Sequence, residues 1–154
     1  MGTIDTPQSP LESELAVDPD QIIEFVTTWP SRIAAISVAR PDGTTSTVPV
    51  WYRYDNGALL IWTERARAWP THLINSGHAS FCIAEDVHPY RAVTGRGPGV
   101  VLTDGEIDVD REIQLIVARY IHPDLAETYI AKWSHLRDIA RIETSHVSGW
   151  SLGY

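Results

Sequence analysis

Short apolar runs separated by turn-forming residues mark most of the chain, and the clearest series lies between Ile33 and Ile83. Ile33 to Ala39 is apolar on both faces, as a strand in a barrel or sandwich would be. Arg40-Pro41-Asp42-Gly43 then has proline preset for the second turn position and glycine for the last. Thr44 to Tyr54 is rich in β-branched and aromatic residues, with Pro49 marking an edge or a bulge. Asp55-Asn56-Gly57 predicts a hairpin turn into a third strand, Ala58 to Thr63. Three consecutive strands on short turns predict a meander. His78 to Glu85 reads as a fourth strand and Tyr90 to Thr103 as a long fifth one. Gly95, Gly97 and Gly99 alternate along the fifth, where glycine allows a bend, a bulge or the close approach of another backbone. Arg137 to Glu143 and Val147 to Leu152 alternate as strands that would close the sheet.

Helical grammar is confined to four places. Asp18, Pro19 and Gln21 open a helix whose apolar face is Ile22, Ile23, Phe25 and Val26, and Pro30 ends it. Ala68 to Ser76 predicts one or two turns, with Pro70 near the start and Gly77 after the end. A helical stretch beginning at Asp110 carries Ile113, Ile116, Val117 and Tyr120 on one face. It breaks at His122-Pro123-Asp124 and resumes with Leu125, Tyr129, Ile130 and Trp133 on a second face. Residues 1–17 are polar and without period, which predicts a mobile arm before a single domain at 18–154. The pattern as a whole predicts a mainly β fold of six or seven antiparallel strands with flanking helices.

Composition narrows the function classes. The net charge of −8 argues against a nucleic-acid partner, because affinity for a phosphate backbone needs clustered Lys and Arg. No apolar run approaches the ~20 residues of a membrane helix, and no secretory signal core is present, so no membrane partner is expected. With Cys82 as the single cysteine, the expected setting is reducing and cytoplasmic, and Cys82 itself reads as a small core residue. Lys132 is the only lysine, so eleven of the twelve basic residues are arginine, whose planar fork suits phosphate and carboxylate.

Candidate chemistry gathers after the third strand, at Thr63, Arg65 and Arg67. A strand end, a hydroxyl, two guanidiniums and a following helix N-terminus can converge on a phosphate. Trp51, Tyr52, Tyr54 and Trp62 on the preceding hairpin can cover a planar ligand or fill a core. The six histidines have no metal-ligand spacing, so no metal is expected, and neither a GxSxG elbow nor a GxGxxG loop is present. Glu85 and Asp86 read as strand-terminating carboxylates in solvent.

The ordered series IAAISVARPDGTTSTVPVWYRYDNGALLIWT, HLINSGHASFCI, PYRAVTGRG and REIQLIVARYI, with a closing strand at Trp150, resembles the pyridoxamine-phosphate-oxidase-like, FMN-binding split-barrel superfamily. The resemblance spans about residues 20 to 154 and includes the flavin- and deazaflavin-using oxidoreductases. It implies a six-stranded antiparallel split barrel that forms a homodimer with FMN, or the deazaflavin coenzyme, in the groove between subunits. By that resemblance Val48, Pro49, Val50 and Trp51 line the cofactor ring, Thr63, Arg65 and Arg67 lie nearest its phosphate, and His72 faces the same region. The implied chemistry is hydride transfer to a small substrate, with Tyr52, Tyr90 and Arg91 as substrate-side groups and no assigned catalytic residue.

One run departs from the family pattern. Where relatives read T-x-x-x-S-R-K-x-x-N-L, this chain has Thr63-Glu64-Arg65-Ala66-Arg67-Ala68-Trp69-Pro70-Thr71-His72-Leu73. Trp69 stands in place of the lysine, and an indole cannot neutralise a phosphate. Either Arg65 or Arg67 takes that role, or the chain is a non-catalytic split-barrel dimer that binds another small ligand or has lost its flavin.

Overall fold

Local sequence rules explain where most elements start and stop. The computed structural model describes residues 19–88 and 90–150, Trp150 by its backbone alone. The predicted 1–17 arm and the Asp18 cap lie outside those residues. Helix α1 (Pro19–Thr27) begins on proline and buries Phe25 and Val26. Strand β1 (Ala34–Ala39) runs into the Arg40–Gly43 turn, closed by the Gly43 N–H donating to the Arg40 carbonyl at 3.0 Å. Strand β2 (Thr45–Val50) returns antiparallel to β1, so that Pro49 sits on an edge strand, where its missing N–H costs no ladder bond.

The predicted meander is interrupted here. Trp51 and Tyr52 leave the strand, and β3 (Arg53–Asp55) pairs forward with β4 (Ala58–Thr63) across Asn56-Gly57, both at positive φ. The break has a tertiary cause. Tyr52 is fully buried, its hydroxyl donates to the Val26 carbonyl at 2.8 Å, and its N–H donates to the Tyr120 hydroxyl at 3.2 Å. The run predicted as one strand therefore serves two different parts of the sheet.

Helix α2 (Ala68–Ser76) ends on Gly77 at φ +75, as its sequence predicts, and β5 (His78–Ala84) follows. Strand β6 (Ala92–Leu102) is the long element that joins the two halves. It pairs with β5 over Ala92–Pro98, with β7 (Asp138–Glu143) over Gly99–Leu102, and with β8 (His146–Trp150) over Ala92–Arg96. The strand order is β2-β1-β5-β6-β7-β4-β3, with β8 on β6, making an eight-stranded antiparallel sheet where the resemblance implies six. The expectation that the last two strands close the sheet is corrected: β7 lies inside it, between β6 and β4. The chain's crossing from β7 to β8 explains one of the alternating glycines. A Cβ on Gly97 would stand 1.9 Å from the Glu143 carbonyl oxygen.

Helix α3 (Val109–Val117) is capped by Asp108, which accepts from the Arg111 N–H at 3.2 Å. Helix α4 (Pro123–Lys132) is capped by the His122 ring, which accepts from the Asp124 N–H. Ile113, Ile116 and Val117 are buried as predicted, but Leu125 is 62% exposed, because α4 packs through Ala126, Tyr129 and Ile130. Two cores result. One fills the barrel around Ile36, Leu59, Ile61, Phe81 and Ile142, and the other joins α3 to Leu60 and Ile139 on the outer face of the sheet. Strand β4 is buried on both faces between them, the reason for its nearly unbroken apolar run.

Two further expectations change. Glu85 does not end its strand in solvent: Arg91 and Arg32 hold it at 2.6 and 2.8 Å, and its side chain is 9% exposed. The Arg91 hydrogen bond first, and Arg32 with it, holds the Glu85 carboxyl down at about 2. Cys82 is only half-buried, with burial pushing its thiol upward. No helix among the described residues is long and apolar enough to cross a membrane.

Candidate functional site

Pairing between β3 and β4 stops at Leu60, so Ile61, Trp62 and Thr63 have a strand neighbour on the β7 side only. Opposite that opening lies the end of β2. A cavity of about 400 Å³ occupies the gap, within the roughly 300–1,000 Å³ of small-molecule sites. Val48, Pro49, Val50 and Trp51 form one side of it, and Trp62, Thr63, Arg67 and Trp69 another.

The polar end is built by the turn from β4 into α2. Thr63 is 2% exposed, and its hydroxyl oxygen is buried without a hydrogen-bond partner. The next residues reverse direction, with the Arg67 N–H donating to the Glu64 carbonyl at 3.0 Å. Arg67 occupies the N-cap of α2 in an extended conformation and makes no side-chain cap. A helix N-terminus in that state presents unpaired N–H groups and a partial positive charge. Arg67 therefore adds a guanidinium to donors already in place.

The apolar end is aromatic. Trp51 stacks on Tyr120 at 4.8 Å with 6° between the planes, and on Tyr129 at 5.2 Å. Trp62 donates its indole N–H to the Leu136 carbonyl at 2.7 Å and meets Tyr129 edge-on. Burial pushes the Tyr120 and Tyr129 hydroxyls upward, so both rings stay neutral. The rings are thus held by one another, and the Trp62 N–H and the Tyr120 hydroxyl donate to the Leu136 and Arg32 carbonyls. Among the described residues, no carboxylate, histidine or cysteine lines the cavity. Such an arrangement suits a flat molecule with one anionic end and supplies no acid–base pair.

The eight sequence-predicted cofactor residues divide here. Val48, Pro49, Val50, Trp51, Thr63 and Arg67 share the cavity; Arg65 and His72 do not line it. Arg65 is drawn to Asp138, which accepts its backbone N–H at 2.7 Å and lies 3.7 Å from its Nε. His72 sits on α2 with Nδ1 buried and unpartnered. Tyr52 and Arg91, considered as substrate-side groups, are engaged elsewhere: Tyr52 in the core, with its hydroxyl pushed up to about 12 by burial, and Arg91 on Glu85. Ile116, Tyr129, Trp133 and Leu136 complete the cavity and were read in the sequence only as packing residues, or not singled out.

No protein-family model matches the sequence, and no curated protein matches it. Solved structures do. A conserved hypothetical protein from Mycobacterium tuberculosis superposes with a TM-score of 0.76 at 19% identity, covering 91% of this chain and 88% of its own. An FAD-binding protein from Mesorhizobium loti gives 0.64 at 17% identity, over 87% and 93% of the two chains. The chain has the pyridoxamine-phosphate-oxidase-like split-barrel fold. An F420 reductase gives 0.62 at 18% identity, over 81% of this split barrel and 94% of its own chain.

Proposed function

We propose that this split barrel binds a flavin-type cofactor, FMN or the deazaflavin coenzyme, in the cavity between β2 and β4. The observation that carries the reading is the buried, unpartnered Thr63 hydroxyl beside Arg67 at an uncapped helix start. A buried polar atom without a partner costs about 1–3 kcal/mol, which a phosphate oxygen would relieve. Arg67 and the α2 N-terminus would hold the phosphate. Val48 to Trp51, along the unpaired edge of β2, would lie against the ring, and Trp62 and Trp69 would exclude water. When bound, the cofactor supplies hydride chemistry toward a small substrate, and the chain supplies binding and orientation. The names of the FAD-binding and F420-reductase neighbours accord with this reading.

The test is a titration of the purified protein with FMN and, separately, with the deazaflavin coenzyme. Saturable micromolar binding of one of them is expected, weakened at least about tenfold in Arg67→Ala through loss of a charge-assisted hydrogen bond. Arg65→Ala should bind like the parent, since Asp138 holds Arg65. Failure of both cofactors would shift the reading to a non-catalytic barrel, which Trp69, buried where relatives carry lysine, favours.

A further inference from the structure

The other face of the sheet carries a second set of polar groups. Register places Thr47 opposite Ser37, Ser37 opposite Ser80, Ser80 opposite Arg96, and Arg96 opposite His146. Directly paired residues project to the same face with Cβ atoms about 4.5–5.5 Å apart. These five side chains therefore form one row across β2, β1, β5, β6 and β8. Thr47 and Ser37 bond to each other at 2.9 Å. Ser80, Arg96 and His146, with Ser145 in the adjoining turn, line two neighbouring grooves of about 660 and 640 Å³. Among the described residues, no carboxylate lines either groove.

Arg96 is unusual for this chain. Nine of the eleven arginines hold a carboxylate, hydroxyl or carbonyl acceptor within the protein. Arg67 and Arg96 are the two whose guanidiniums have no such acceptor among the described residues. Acidic residues outnumber basic ones 20 to 12, so a groove that gathers a guanidinium, an imidazole and the hydroxyls of Ser80, Thr94, Ser145 and Ser148, with no acid among the described residues, is set apart. The strand beneath is held in place: Cβ atoms built on Gly95 and Gly97 would collide with the Phe81 ring and with the Glu143 carbonyl. Arg96 is thus carried on a tightly packed strand.

We propose that the Ser80–Arg96–His146 row, with Ser145, is a binding site for a small oxyanion, the phosphate of a phosphomonoester or inorganic phosphate itself. A guanidinium fork with flanking hydroxyl and imidazole donors matches the several oxygens of one tetrahedral group. The net charge of −8 disfavours a polyanion at the same place, so the ligand is compact.

The full chain is titrated with inorganic phosphate and with phenyl phosphate, at constant ionic strength in chloride, while amide NMR signals are followed. Saturable shifts centred on Ser80, Arg96 and Ser145 are expected. Arg96→Gln should weaken binding at least about tenfold, with partial recovery in Arg96→Lys, which keeps the charge but loses the fork. Arg67→Ala should leave it unchanged, which separates this site from the cavity between β2 and β4. Saturation by both probes, or by phenyl phosphate alone, supports the site, and the second result assigns the phosphomonoester as its ligand. Shifts that do not saturate in the parent, shifts that chloride reproduces, or parent-like affinity in a folded Arg96→Gln variant would overturn it.

Discussion

Thr63 carries a hydroxyl at a position where the fold makes no use of it. Its residue is 2% exposed, the oxygen has no partner, and strand geometry suits valine as well as threonine. The two roles of such a side chain separate on substitution. Thr63→Val is expected to keep or raise the stability of the ligand-free protein by up to about 1 kcal/mol, a rise of a few degrees in Tm. It should also weaken cofactor binding by about tenfold. Thermal denaturation and the FMN titration, run on one preparation, check both halves. A loss of stability would mean that the hydroxyl has an internal partner. Arg65 and Arg67 show the limit of what sequence can say at this scale. Both follow the third predicted strand, two residues apart, and nothing local distinguishes them. Asp138, 73 residues along the chain from Arg65, does so by accepting the Arg65 N–H.

At the scale of elements, α1 is tied to the sheet by charge as well as by Phe25 and Val26. Arg32 donates to the Phe25 carbonyl at 2.7 Å, lies 3.9 Å over the Phe25 ring, and shares Glu85 with Arg91. The Glu85 carboxyl is depressed from 4.5 to about 2 in the folded protein, so the unfolded chain takes up the proton first. Its contribution is complete above pH ~4.5 and is lost as pH falls toward ~2. Denaturant unfolding between pH 6 and about 2 should therefore show a fall in stability that is shallower in Glu85→Gln. Equal slopes in the two proteins would remove Glu85 from this role. Elements with local grammar were legible in the chain: α2 stops at Gly77, and the Asn56-Gly57 turn sits where the sequence puts it. The interruption at Trp51-Tyr52 was not, since both residues favour strands and the bend comes from Tyr120 and Val26, distant in sequence. The place of β7 inside the sheet was equally hidden, because alternation reveals a strand but not its neighbour. Similarly, the α4 face was readable as apolar, while Tyr129 and Trp133 reaching the cavity depends on how α4 docks.

At the scale of the whole molecule, we propose that two copies associate, as the resemblance implies, and that the contact lies at the exposed edge of β2. Support comes from the edge itself, which is unpaired on its outer side and carries half-buried Val48 and Val50 beside the cavity mouth. Sedimentation at micromolar concentration should give twice the 17.2 kDa chain mass, and a monomer at every concentration would end the proposal. The turn at Trp51-Tyr52 has a mechanical consequence of its own. Strand β2 is one margin of a hydrogen-bonded ribbon, and the end of β4 beyond β3, Ile61–Thr63, is the other; the two flank the same gap. A molecule lodged against Val50 and Thr63 touches both margins of that ribbon and works as a clasp. With the clasp shut, the sheet becomes a closed loop that must come apart all at once. With it open, unravelling can begin at the β2 margin and travel inward.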